Sequence, residues 1–216
     1  VNIQVGAIRT QAFKKLFGDS KVVNEDGSPM VVYHGAREDF DEFDIEMGDL
    51  GTHFGTKSQA ARFVEPIASF EPDDGRIIPV YLNIKNPIRL IDYGHFGTGT
   101  VGEQLLDKGV ITSPQFNELN DQPHKGQRMY LRRLLQEAGY DGVVYLNRRE
   151  GVGYYDEDGD YQSGVDPEDA NLMTDAEFLD VSPDAKDSYI VFSPTQIKSA
   201  IGNSQHTDTN MSNKEK

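Results

Sequence analysis

Residues 31–36 read VVYHGA: two β-branched residues and a tyrosine run straight into His34-Gly35. The apolar, β-branched start is strand material. The end is unusual, because an imidazole is followed at once by the residue that leaves its backbone bare. Glycine's N–H and C=O can meet a planar amide as donor and acceptor, and the imidazole can hydrogen-bond a sugar hydroxyl from one side. The same residues also suit a plain strand end, so their neighbours must decide. Upstream, KVVNEDGSPM turns at Asp26-Gly27, which predicts a hairpin whose second strand carries His34. Downstream, GTHFGTKSQAARF flanks His53-Phe54 with glycines and opens a helix, with Thr56 or Ser58 as N-cap. A ring here can stack on a flat ligand; equally, Phe54 can be core and His53 a surface residue.

Outward from this centre, residues 7–17 (AIRTQAFKKLF) predict a short amphipathic helix, and FDEFD a short edge strand or loop. RIIPVYLNIKNPIRL is the longest β-rich run, and Pro79 and Pro87 place it at an edge or break it in two. GTVGEQLLDKGVI and KGQRMYLRRLLQEAG predict helices, the second closed by Gly139. YDGVVYLN and SYIVFSPTQI predict strands, the latter ended by Pro194. Residues 151–186 are rich in acid, glycine and proline and read as an insertion loop or flap. Residues 204–216 lack an apolar pattern and read as a disordered tail, leaving residues 1–203 as a single domain. Without regular βαβ alternation or an internal repeat, the order argues for an α+β fold with a largely antiparallel, split or sandwich-like sheet and peripheral helices.

The 216 residues carry a formal charge of −15, which repels phosphate backbones at long range and makes nucleic acid a poor partner. KGQRMYLRR, residues 125–133, is the one basic patch against this, and it suits a solvated helix face. No run approaches a membrane span. VNIQVGAIRT opens mid-pattern, as a piece of a longer chain would, and lacks the layout of a secretory signal. Absence of cysteine rules out disulfides and thiolate metal sites and fits a reducing cytoplasm. Asp156, Asp158 and Asp160 alternate as in a calcium loop, but Tyr161 stands where that loop needs glycine and Pro167 where it needs glutamate, so no metal is expected.

YLNRREG places Glu150 beside Arg148 and Arg149 at a strand end. The expectation is that these cations hold the carboxylate ionised, either as a solvated salt bridge or as the fixed negative charge that a reaction building positive charge on a sugar needs.

Together, VVYHGA, GTHFGTKSQAARF and SYIVF followed by Gln196 resemble the ADP-ribosyltransferase fold on the side of the poly(ADP-ribose) polymerases and diphtheria toxin. The closer likeness is to transferase-like domains of phage polyvalent and related mobile-element proteins, through the hairpin before YHG, the HFGT turn, NIKNP, GYDGVVY-N--EG and P-QIKSA-GN. It covers residues 21–151 and 187–203. The resemblance implies a split antiparallel β-sandwich, NAD as substrate, nicotinamide release and ADP-ribosylation of a macromolecule, a host protein in the host cytoplasm being the expected acceptor. It implies that His34 binds the adenosine ribose and Gly35 holds the nicotinamide amide through its backbone. His53 stands in the place of the family's stacking tyrosine, with Thr52 and Phe54 beside it. The polymerases carry a glutamate just before YIV, where this chain has Ser188, preceded by Asp187. The phage-like domains instead point to Glu150 as the key carboxylate, with Asn147 and Ser188 lining the site. NAD hydrolysis with water as acceptor, and an inert binding module, are the alternatives. Nothing in the sequence determines an oligomeric state.

Overall fold

The computed structural model describes residues 11–38, 40–64, 75–150, 153–155 and 161–201. Two sheets face each other. The first is three-stranded, with β3 (Arg76–Leu82) between β1 (Val32–Ala36) and β9 (Ile197–Ser199), all antiparallel. The second runs β2 (Thr52–Phe54), β8 (Asp187–Val191), β5 (Gly142–Leu146), β4 (Pro87–Arg89), antiparallel except for the β4–β5 pair. This is the split antiparallel α+β architecture that the sequence implies.

Strand periodicity explains how the second sheet is covered on both faces. Tyr189 and Val191 join Val32, Phe54, Val80 and Leu82 in the core between the sheets. Ile190, between them on the chain, points the other way, into a larger core with Leu105, Leu119, Leu131 and Leu135. Those leucines come from α3 (Thr98–Asp107), α4 (Ser113–Asp121) and α5 (His124–Glu137). Each fully buried aliphatic side chain of this kind stabilises the fold by about 1.5–3 kcal/mol.

Several local expectations change. The predicted hairpin at Asp26-Gly27 is a tight turn with a single bridge, Val23 to Pro29, around Gly27 at φ +77°; Met30 N–H still reaches the Val22 carbonyl, but Val22 N–H turns to Ser20 Oγ and the ladder goes no further. Pro79 lies in the central strand of its sheet rather than at an edge. It is tolerated because it lies one residue beyond the last β3–β9 pair, Val80 with Ser199, where its carbonyl accepts from Ala200 N–H and no donor is demanded of it. FDEFD is a loop. The basic patch on α5 is a solvated face only in part: Lys125 and Arg133 are exposed, whereas Arg128 and Arg132 turn inward. Arg128 donates to the Glu46 and Gly48 carbonyls, and Arg132, buried, to the Ile45 carbonyl and the Glu46 carboxylate, so both hold down the loop before β2.

Residues 151–186 are not a bare loop. They contain a hairpin, β6 (Gly153–Tyr155) with β7 (Tyr161–Ser163), and two helices, α6 (Pro167–Leu172) and α7 (Asp175–Val181). Ala170 and Phe178 from these helices form a small core with Leu146 and Ala185. The helix expected over residues 7–17 is described from Gln11 to Phe17. The calcium-like aspartates and the expected tail lie outside the described residues. No described helix is long and apolar enough to cross a membrane.

Candidate functional site

The two sheets meet at one point. Tyr33 on β1 exchanges both backbone hydrogen bonds with Gly55, just past β2, at 2.8 and 2.9 Å. Tyr33 and Pro79 form a non-hydrogen-bonded pair of the β1–β3 ladder, so the Tyr33 N–H and C=O face away from β3, toward β2. In a strand, residues two apart present N–H and C=O to the same edge. Gly35 therefore aims both groups at the β2 side, beyond the end of the Tyr33–Gly55 bridge. Its missing side chain has a second cause: a Cβ would sit 2.5 Å from the Ala60 carbonyl oxygen of α2 (Lys57–Val64).

His34 lies among Phe40, Phe43 and Phe54, with ring centroids 5.3–6.1 Å away. Its Nδ1 is 2.8 Å from the His53 carbonyl oxygen, which can only accept, so Nδ1 carries the proton. Burial pulls its pKa down, against the raising effect of that bond. The neutral ring leaves Nε2 as an acceptor, suited to a hydroxyl. His53 faces the other way. Its Nδ1 is 3.1 Å from the Tyr145 hydroxyl, and its ring lies near Phe96. Burial lowers its pKa to about 4, although Asp49 acts in the opposite sense. Thr52 and Phe54 are buried, Phe54 in the core between the sheets.

Tyr145 opposes Ser188 in the β5–β8 register. Ser188, 2% exposed, donates to Gln59 Oε1 at 3.1 Å and accepts from Asn147 Nδ2 at 3.1 Å. Gln59 is fixed in turn, because its Oε1 accepts from Thr56 N–H and its Nε2 donates to the Lys186 carbonyl. Thr56 also caps α2, accepting from Gln59 N–H, so Thr56 rather than Ser58 fills that role. Gly55 must be glycine here, since a Cβ would lie 2.2 Å from Gln59 Oε1 and 2.7 Å from Ser188 Oγ.

Asn147 brings Glu150 to this cluster. Its Nδ2 donates to Glu150 Oε2 at 2.6 Å as well as to Ser188, while its Oδ1 accepts from the Glu150 and Arg149 N–H groups. Its side-chain hydrogen-bonding capacity is fully used, three bonds within the turn and one to Ser188. Glu150 differs from expectation in one respect. Its pKa is raised, first by burial, against the lowering bond from Asn147, with Asp92 adding to the rise. Arg149 lowers it only weakly. The arginines do not hold this carboxylate ionised, because both guanidinium groups are turned away, toward α6 and α7. Asp187 goes elsewhere. Its carboxylate takes two bonds from Arg89, which also holds Asp175. One residue from Ser188 on a strand means the opposite face.

Thus His34, Gly35, His53, Asn147, Glu150 and Ser188 are linked through one run of hydrogen bonds and strand contacts, and Asp187 is outside it. Sequence reading missed Tyr145, Gln59 and Asp92. Tyr145 had a signal: it stands two residues before Asn147, on the strand that leads to it. Gln59 had one too, at the third position of a capping box. Asp92 had none in its own neighbourhood; its buried carboxylate accepts from Gly94 and Arg148 N–H groups.

A split antiparallel sandwich with a His-Gly strand at the junction of its sheets is the architecture of an ADP-ribosyltransferase-like domain. The chain belongs to the family of ADP-ribosyltransferases in polyvalent proteins, whose family model matches residues 24–207. No curated protein and no solved structure matches it. Transferases of this class use NAD as substrate in general.

Proposed function

We propose that this chain splits the nicotinamide–ribose bond of NAD and transfers ADP-ribose to a macromolecular acceptor, with Glu150 as the key carboxylate. The observation that carries this is the Asn147 amide, which ties Glu150 to Ser188 through bonds of 2.6 and 3.1 Å. Ser188 occupies the place where polymerases of this fold carry their glutamate. A neighbouring strand end therefore delivers a carboxylate to the spot that its own strand leaves without one.

In this reading the electron pair of the C1′–N bond leaves with nicotinamide, neutralising its ring nitrogen, and C1′ becomes oxocarbenium-like. Glu150 offsets that charge and orients the ribose 2′-hydroxyl. An acceptor lone pair then bonds C1′, and the acceptor's proton passes to Glu150 or solvent. Rate comes from binding the charged state better than the ground state. Gly35 holds the nicotinamide amide at its open edge, and His34 Nε2 takes a hydroxyl of the adenosine ribose. His53 lies beside the nicotinamide ring, while Thr52 and Phe54, both buried, act through packing, Phe54 against His34. Asn147 and Ser188 act as supports, since their polar atoms are engaged within the protein. The acidic surface favours a protein acceptor, in the cytoplasm of a host cell.

Nicotinamide release and label transfer from NAD test this. Glu150→Gln is expected to lower release by about 10²–10³-fold, the usual cost of one such charge-stabilising group, while calorimetry still detects NAD binding. Wild-type rates in that variant would refute the assignment. Label recovered only as free ADP-ribose identifies water as the acceptor. The locked hydroxyl at Ser188 is what favours the inert-module reading, and absence of both turnover and NAD binding in the wild type would establish it.

A further inference from the structure

The turn after β5 is gripped from both sides. Asn147 and Glu150 face the candidate site, whereas Arg148 and Arg149, between them, face the α6–α7 segment. The Arg148 side chain is wholly buried. It donates to the Ala170 and Met173 carbonyls, caps the open C-terminal end of α6, pairs with Asp175 at 2.8 Å, and lies over the Phe178 ring. Its own N–H donates to Asp92 at 2.9 Å. Arg149 donates to the Asn171 side chain and the Pro167 carbonyl.

A buried guanidinium is a poor way to gain stability, since an apolar side chain of similar size often does as well. What it supplies is geometry, three directed bonds from one rigid group. We infer that the α6–α7 segment is a positioning element for Glu150, acting through Arg148. The acidic insertion is then a brace for the carboxylate turn, where the sequence alone suggested a loose flap. This rests on the role given to Glu150 above.

The test is Arg148→Met, which keeps the packing on Phe178 and removes the directed bonds, with Arg148→Lys and Asp175→Asn beside it. Two readouts are needed. Amide hydrogen exchange at residues 147–150, followed by mass spectrometry, should quicken in Arg148→Met, because the Arg149 and Glu150 N–H groups bond Asn147 Oδ1 within the turn. Steady-state kinetics should show kcat for nicotinamide release falling by about 10²-fold, the cost of a misplacement near 1 Å, with KM for NAD little changed. Release should fall alike with and without a protein acceptor, and Arg148→Lys should recover part of it. Unchanged exchange and kcat in folded Arg148→Met would overturn the inference. So would loss of transfer with acceptor-free release intact, which would make the segment an acceptor surface. Should Arg148→Met not fold, Asp175→Asn decides by the same measurements. Quickened exchange in an enzyme whose wild type never turns over NAD would keep the brace and remove the proposed function instead.

Discussion

Gly35→Ala separates the two demands placed on the glycine of the His-Gly strand. The ideal Cβ falls 2.5 Å from the Ala60 carbonyl oxygen and 3.2 Å from Phe63 Cβ and Cδ1. An unstrained carbon–oxygen contact is about 3.3 Å, so α2 must retreat by roughly 0.8 Å. The obstructing atom is backbone in a helix, which cannot rotate away as a side-chain tip can. Overpacking of this kind costs about 1–3 kcal/mol. For a chain of this size each kcal/mol lowers Tm by about 2–4 °C, so the expected fall is about 2–12 °C. The fall should appear in ligand-free protein, measured by calorimetry or dye-monitored melting. Gly99→Ala is the control: nothing lies within 4 Å of its Cβ position in α3, and its Tm should hold or rise. The same retreat draws on Gln59, one residue before Ala60, and through it on Ser188, so NAD turnover should fall as well. A Gly35→Ala protein that melts with the wild type would show that α2 does not require the glycine.

Glu150→Gln should shift stability with a definite sign. The native pKa is raised, so the unfolded chain ionises first and the native state loses stability as pH climbs through and above the ordinary carboxylate range. The variant, which cannot ionise, should gain on the wild type over that window in urea unfolding, and a gap independent of pH would count against the buried carboxylate. His53 acts in the opposite direction. Lowered from 6.5 to about 4, it makes the native state lose up to about 3 kcal/mol as pH falls between those values, and His53→Gln should flatten that slope. Asp187→Asn should leave nicotinamide release unchanged and cost about 0.2–1 kcal/mol, since its pair with Arg89 is partly exposed. A large loss of turnover in that variant would transfer the catalytic role from Glu150 to Asp187.

What was legible in the sequence is what local physics writes there. The β-branched run before His34, the glycines around His53-Phe54 and the GYDGVVYLN strand each announce themselves within a few residues. The start of α2 was legible too, though the choice between Thr56 and Ser58 as its cap needed the structure. What was hidden depends on partners far along the chain. Pro79 signals an edge locally, yet the pairing of β3 with both β1 and β9 makes its strand central. Arg148 and Arg149 read as counter-ions for their neighbour Glu150, but their partners are carbonyls and side chains 18–27 residues further on. Neighbours on a chain are not neighbours in space when the side chains of a turn leave it in opposite directions. The basic run on α5 misled for the same reason, because the loop it holds lies 80–87 residues earlier. Burial of Glu150, and hence the sign of its shift, cannot be read from one strand end at all.

The role proposed for Glu150 is consistent with the sheet geometry around Ser188. On β8, side chains alternate faces, so Asp187 points away from the cluster that Ser188 enters, and a shift of one residue would send Tyr189 and Val191 out of the core they share with Val32. An acid for this face must therefore come from a neighbouring element. β5 is the adjacent strand, with Tyr145 opposite Ser188, and its continuation carries Asn147, which bonds Ser188. An acid on a turn lacks the ladder that steadies a strand residue, so it needs support from side chains. Asn147 supplies this from the site side and Arg148 from the outer side, one with every polar atom engaged, the other wholly buried. An acidic insertion immediately after the turn is where such an outer support has to be built, because its helices must reach back to a guanidinium only a few residues beyond the strand.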